Sequence, residues 1–438
     1  MTLITIISHN LPGGAQNKAL LRGVGAFASA ELSVRVVRLL AIIVMARSLT
    51  PDILGSAALA LTLFEVMRVL ANIGVGQQII AAHDDLLAAT CNTAHRIFWR
   101  WCTALTGIQL LLAGIVAAVT GNMATAGMIA MLSLVYLTMP SGLVQCYLLM
   151  RGGRAATTAA IGASQTISDH ILTACLVIIW PSPWSIILPK LLTTPIWLLS
   201  MRRAMPWCPT RCATIIPARA LLGQALAILI SEIVVAARTQ ADKLIVAAFL
   251  GVQALGVYFF AFNAGIGLLT SIITAYSTLT FPMICGGADA LERRKIAKKL
   301  MLAAALTVLP LVLLQLLLAP IYVPLIFGDR WHGAIALVTT LCLAGLPMML
   351  MSLVSNYLRS QGAAHIDAMA SFLASAFALA GLSIGAIFGG LQLAASLWVS
   401  GLCIVALPYA FFAFGERRTH IFSRKNGDQP THIFSRIK

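Results

Sequence analysis

The residues of this chain that could do chemistry are charged side chains set inside long apolar runs. Between residues 31 and 76 two such runs meet at Thr50-Pro51. Each is long enough to cross a bilayer, since a helix needs about 20 mainly apolar residues to span a hydrocarbon core about 30 Å thick. The first run carries Glu31, Arg35 and Arg38, and the second carries Glu65 and Arg68. The spacing i, i+4, i+7 puts Glu31, Arg35 and Arg38 on one helical face. Counting about ten residues back and forward from the turn places Arg38 and Glu65 at similar depth. A charge near the bilayer centre costs about 2.5–3.5 kcal/mol on an insertion scale, so such groups usually face a bundle interior or a wet cavity. A polar, net-positive seam in an apolar hairpin is therefore a candidate transport site. Two competing readings stand beside it: Arg35 snorkels to the surface from a shorter helix, or these charges pair into salt bridges that lock helices together.

Two more charged clusters interrupt apolar runs further on. Glu232, Arg238, Asp242 and Lys243 fall in ISEIVVAARTQADKLIVAAFLG, and Asp169-His170 falls in a run that starts near Ala156. Glu31, Glu65, Glu232, Asp242 and Asp169, carboxylates that can hold a proton at that depth, and the adjoining Lys243 are candidates for ion coupling or for pairing within a cavity. Asp169-His170 reads as a proton relay or, more simply, as part of a local hydrogen-bond network.

The elements that must position these groups are membrane spans. Of the 438 residues 60% are hydrophobic and only 10% charged, where a soluble domain carries about 25% charged residues. The net charge of +16 does not signal nucleic acid, because the basic residues sit in short segments between apolar runs and set topology. The nine cysteines are scattered singly, and Cys208 and Cys212 in WCPTRC lack further ligands. Neither a disulfide framework nor a metal site is indicated. The N-terminus lacks the basic region and cleavage site of a signal peptide. There is no P-loop and no nucleophile–base set, so neither an enzyme nor a cofactor is expected.

The apolar runs predict an all-α integral membrane protein of about twelve transmembrane helices. Among the predicted spans are Ala124–Met150, Leu255–Ile284, Ile335–Tyr357, and a final pair, Ala364–Phe388 and Leu391–Phe414. The organisation expected is a six-helix lobe over 1–201, a basic linker over 202–219, a second six-helix lobe over 220–414 and a tail over 415–438. With both termini in the cytoplasm, the basic connections fall there too, from Lys18 and Arg22 to Arg293, Arg294, Lys295, Lys298 and Lys299. Only Arg330 falls in a connection on the opposite side, an asymmetry that fixes the orientation. The halves echo each other: Glu31 and Gly55 fall on Glu232 and Gly256 when the chain is slid along itself. That pattern suits a parallel repeat with a binding site between the halves. The tail repeats THIFSR at Thr419 and Thr431 and is expected along the anionic inner leaflet, with no role in transport.

ARSLTPDILGSAALALTLFEVMRVLANIGVGQQII (Ala46 to Ile80) resembles the first-hairpin signature of bacterial oligosaccharide and polysaccharide flippases. These Wzx-like exporters belong to the superfamily that also holds MATE multidrug exporters and the lipid II flippase. RTQADKLIVAAFLGVQALGVYFFAF (Arg238 to Phe262) and APIYVPLIFGDRWHGAIALVTTLCLAG (Ala319 to Gly345) carry the resemblance into the second half. It implies a V-shaped, MATE-like bundle of two lobes around a central cavity in the bacterial inner membrane. Such a bundle moves undecaprenyl-pyrophosphate-linked oligosaccharide outward by alternating access, with membrane lipids and the polysaccharide polymerase and chain-length machinery as partners. Guanidinium groups suit a pyrophosphate because their planar donor fork matches its oxygens, which makes Arg35, Arg38, Arg68 and Arg238 the candidate substrate contacts. A multidrug or ion antiporter of the same fold is the nearer alternative, and would be expected to place more carboxylates than arginines in its cavity. A membrane polymerase or glycosyltransferase is the other, and would normally show a larger polar loop outside the membrane.

Overall fold

A computed structural model describes residues 33–209 and 217–414. Glu31, the N-terminal tail, Arg211 and the tail with its THIFSR duplication lie outside the described residues. Among the described residues all regular structure is helical. The helices are α1 (33–48), α2 (Pro51–Leu70), α3 (Val75–Ala81), α4 (Asp84–Thr120), α5 (Met123–Thr138), α6 (Pro140–Arg151), α7 (Ala155–Ile179), α8 (Trp184–Ala204), α9 (Ala218–Ala264), α10 (Ile266–Cys285), α11 (Ala290–Tyr322), α12 (Ile335–Leu343), α13 (Gly345–Ser360) and α14 (Ala364–Phe414). A π-helical turn and a 3-10 turn, Val323–Phe327 and Asp329–Ala334, join α11 to α12. Eight helices among the described residues are long and apolar enough to cross a membrane, or nine when the bent pair α5–α6 counts as one. The chain is a multi-pass membrane protein.

Local sequence sets where the helices start. Pro51 opens α2 with Asp52 in its first turn, a position where the missing N–H costs nothing and a negative charge meets the helix dipole. Asn122 caps α5 by accepting from Thr125 N at 3.0 Å. Asp289 caps α11, accepting from Glu292 N at 2.6 Å, while Glu292 accepts in return from Ala288 N at 2.7 Å.

Several expected spans are not single rods. Ala124–Met150 is the pair α5–α6, bent by 52° at Met139. Ile335–Tyr357 is broken into α12 and α13 at Ala344, and the Leu255–Ile284 run breaks at Gly265. The second span breaks after α2, where Gly74 has φ 74°. The last two spans are joined through Gly390, φ 75°, a left-handed conformation that only glycine adopts without strain. The arms on either side pack against each other through small residues. A Cβ on Gly381 would lie 2.6 Å from Leu397 O, one on Gly401 2.6 Å from Phe377 O, and one on Gly385 would collide with the Ala394 backbone. Small residues at such positions let two membrane helices approach to backbone contact.

Tertiary contacts divide the chain into two units, Met1–Ala241 and Asp242–Lys438. In the first unit Ile73, Val75 and Ile79 pack with Cys91, Phe98 and Val144. Here α3 lies against α6, with Gly76 tight under the Tyr147 ring. Arg151 closes the pair by donating to Ile79 O, Ile80 O and Ala82 O at 3.2, 2.9 and 2.5 Å, and to Asp84 at 2.6 Å. In the second unit Leu269, Ile273 and Tyr276 pack with Val308, Val312 and Leu353. Gln109 of α4 and Gln315 of α11 do similar work in their own units: each is buried and donates its amide to a neighbouring backbone carbonyl, Ile129 O at 2.7 Å and Gly265 O at 3.2 Å.

Basic residues at the starts of α7 and α11 reach the carboxyl ends of neighbouring helices. Arg154 donates to Ala204 O at 3.1 Å, at the end of α8, and Arg293 to Ser360 O at 3.2 Å, at the end of α13. Arg294 donates to Phe414 O, the last residue of α14. The last carbonyls of a helix have no partner within it and carry its negative dipole end, so a cation there is favourable.

Candidate functional site

In the first unit, the hairpin expected from the sequence is α1 and α2. Arg35 on α1 is half-buried and Arg38 is exposed. One turn apart on α2, Glu65 and Arg68 form an ion pair in which Arg68 Nε and Nη2 approach the same carboxylate oxygen at 2.8 and 2.6 Å. The Arg68 charge is thus met within its own helix. The carbonyl of Phe64, beside this pair, accepts from the buried Tyr136 hydroxyl at 2.8 Å.

A second ion pair lies between α7 and α8. Asp169 is buried, and its Oδ2 receives Lys190 Nζ at 2.7 Å. Its other oxygen, Oδ1, has no hydrogen-bond partner among the described residues. Lys190 follows Pro189 on a helix that also holds Pro195. Proline withholds an amide from the helix ladder, and the hydroxyls of Thr193 and Thr194 turn back onto Pro189 O and Lys190 O, each at 2.8 Å. His170 lies within electrostatic range of Asp169, Lys190 and Arg38 together, so this cluster gathers side chains from α1, α7 and α8.

Glu232 on α9 meets a polar chain instead of an arginine. It accepts from Asn72 Nδ2 at 2.7 Å, and Asn72 Oδ1 in turn accepts from the Tyr147 hydroxyl at 3.3 Å. Asn72 sits in the break between α2 and α3, whose upper end is tied by Trp101 Nε1 to Leu70 O at 2.9 Å. Arg238, further along α9, is exposed.

In the second unit Asp242 and Lys243 are both buried, with Lys243 Nζ 3.3 Å from Asp242 Oδ1. The chain folds back at Gly251, φ 85°, and brings two aromatic residues onto this pair. The Tyr258 hydroxyl donates to Asp242 Oδ2 at 3.0 Å, and the Phe262 ring lies 4.8 Å under the Lys243 ammonium. Asp367, at the start of α14, is also buried and takes Arg359 Nε at 2.6 Å and the Tyr409 hydroxyl at 2.9 Å.

The structure therefore joins Glu65 to Arg68 and Asp242 to Lys243, and leaves Arg38 within electrostatic range of His170. Sequence reasoning placed Asp169 in a polar network but did not assign Lys190 as its partner. The available signal was a lone cation between two prolines, one helix after a lone acid. Asn72, Tyr147, Tyr258 and Asp367 were missed as well; nothing in their spacing marks them, because their partners come from other helices. Among the described residues no group of three or more His, Cys, Asp or Glu side chains is placed to hold a metal ion.

The family described as "Polysaccharide biosynthesis protein" matches residues 44–336. No curated protein sequence matches. Among solved structures, an inward-facing multidrug resistance MATE family transporter of the MOP superfamily aligns with a TM-score of 0.71 at 14% identity, covering 91% of this chain and 99% of that one. The lipid II flippase MurJ, in an inward closed conformation, aligns at 0.69 and 10% identity, covering 88% and 87%. A MOP superfamily transporter from Pyrococcus furiosus, described as having a binding pocket of reverse polarity, aligns at 0.60 and 14% identity, covering 94% and 97%. The fold is that of the MATE-like transporters.

Proposed function

We infer the task of this chain from one premise: it belongs to the polysaccharide biosynthesis protein family. It is a flippase that moves undecaprenyl-pyrophosphate-linked oligosaccharide across the bacterial inner membrane, with both termini in the cytoplasm, for assembly of a cell-surface polysaccharide. The mechanism is alternating access, as for other transporters built from paired repeats with broken helices. The family match over residues 44–336 carries the reading. The chemistry of the first unit supports it: Arg35, Arg38 and Lys190 occur in its apolar helices, and cations with several donors suit a pyrophosphate. Arginines set in an apolar hairpin suit an anionic cargo better than the cations a multidrug exporter of the same fold would carry. Arg68, bound to Glu65, contributes less charge than its residue type suggests.

The test is genetic and biochemical together. In a bacterium deleted for the corresponding gene, the wild-type chain should restore surface polysaccharide and clear the lipid-linked intermediate from the inner leaflet. Restoration of drug export with no effect on the lipid-linked intermediate would move the chain to the antiporter class.

A further inference from the structure

We propose that Lys190 is a substrate-phosphate residue of the first unit, held by Asp169 in this structure and handed over to the substrate's phosphate when substrate binds. The inference rests on the flippase reading and adds to it a binding residue and an exchange of partners.

Four observations carry it. First, the pair is lopsided. The Lys190 side chain is 26% exposed and that of Asp169 only 8%, so the ammonium is the end within reach of a ligand. Second, Asp169 is half-satisfied: Oδ2 holds Lys190 at 2.7 Å while the buried Oδ1 has no hydrogen-bond partner among the described residues. A buried carboxylate kept only to fasten two helices would be expected to have both oxygens met, because an unmet one forfeits part of its desolvation. Third, Lys190 and Arg38, from α8 and α1, both lie within electrostatic range of His170, the chain neighbour of Asp169. Fourth, lysine suits the exchange. Its compact ammonium on a four-carbon stem can swing between acceptors, whereas a guanidinium fork is tied to one geometry. The surrounding backbone is already adapted, since Thr193 and Thr194 meet carbonyls within the stretch between the two prolines.

The alternative is a staple that only holds α7 to α8. The two differ in sign on replacing the carboxylate. If Asp169 competes with substrate for the ammonium, Asp169→Asn releases Lys190 and should tighten phosphate binding. If the pair is a staple, the same change can only weaken the unit.

The experiment uses the full chain in lipid nanodiscs, with farnesyl pyrophosphate as the probe and farnesol as the control for partition of the isoprenoid tail. Farnesyl pyrophosphate should bind the wild type and farnesol should not. Lys190→Gln should bind the pyrophosphate about tenfold more weakly, the scale of one lost charge-assisted contact, and Asp169→Asn a few-fold more tightly. Because Lys190→Gln strands Asp169, the double variant Lys190→Gln/Asp169→Asn guards against misfolding: it should melt like the wild type yet bind as weakly as Lys190→Gln. Normal binding by the well-folded double variant, or weaker binding by Asp169→Asn, overturns the role given to Lys190 and leaves the flippase reading intact. A wild-type protein that does not bind farnesyl pyrophosphate overturns both.

Discussion

Asp242 and Lys243 are adjacent in sequence and buried together, which makes their energetic coupling measurable. The side chains are 6% and 10% exposed, so neither charge can recover its hydration if the other is removed. Breaking a buried pair by removing one partner costs about 3–5 kcal/mol. Asp242→Asn takes from the Lys243 ammonium the carboxylate 3.3 Å away while keeping it over the Phe262 ring. Lys243→Met leaves the buried Asp242 carboxylate without its ammonium, still accepting from the Tyr258 hydroxyl at 3.0 Å. Were the two costs independent, the double variant would lose about 6–10 kcal/mol. We expect instead that Asp242→Asn/Lys243→Met stays within about 1 kcal/mol of the wild type, since no charge is stranded and a methionine can keep an aromatic contact with Phe262. For a unit of about 200 residues each kcal/mol moves a melting temperature by about 2–4 °C. Each single variant should therefore fall by about 6–20 °C and the double by only a few degrees. Thermal unfolding of the detergent-solubilised protein, followed by tryptophan fluorescence, reads all four species. Additive losses, or single variants that melt like the wild type, would refute the account of a mutually dependent buried pair.

Arg38→Ala should leave the protein inserted and folded while stopping export, and Arg38→Lys should restore export only in part, because an ammonium supplies charge without the fork; surface polysaccharide per molecule of inserted protein is the readout. Glu232→Gln keeps an acceptor for Asn72 but loses the charge, so expression should hold, and dependence of export on an ion gradient should vanish if this carboxylate couples transport to ion flow. A reporter inserted at Gly121-Asn122 should be active only outside the cytoplasm, and one fused after Arg424 only within it. Gly385→Leu should prevent the arms of α14 from closing onto Ala394, costing more than about 3 kcal/mol by overpacking against backbone, seen as loss of the folded peak in size-exclusion chromatography.

Hydrophobic length made the spans legible, and single glycines marked the last turn: the expected boundary between Phe388 and Leu391 contains Gly390. The breaks inside spans were harder to read. Met139 and Ala344 are ordinary helix formers, and their breaks depend on what packs around them, although Pro140 follows the first. The charged residues were found because any charge in an apolar run stands out, but their partners were not. Spacing within one helix could show Glu65 beside Arg68. It could not show how α7 and α8 rotate about their axes to bring Asp169 and Lys190 together, or that Gly251 folds Tyr258 back onto Asp242. The Tyr147–Asn72–Glu232 chain joins residues from three separate stretches, and no local pattern announces such a meeting.

The arginines that reach helix carboxyl ends serve at two separate moments in the life of the molecule. During synthesis, Arg154, Arg293 and Arg294 count only as positive charge, and lysine in their place would orient the nascent helices equally well. In the finished protein they are directional donors seated on Ala204 O, Ser360 O and Phe414 O, where a guanidinium with five N–H groups has reach that an ammonium lacks. Replacing all three by lysine separates biogenesis from consolidation. The chain should thread the membrane correctly and then stay loose where these helices end, open to proteases that never reach the native form.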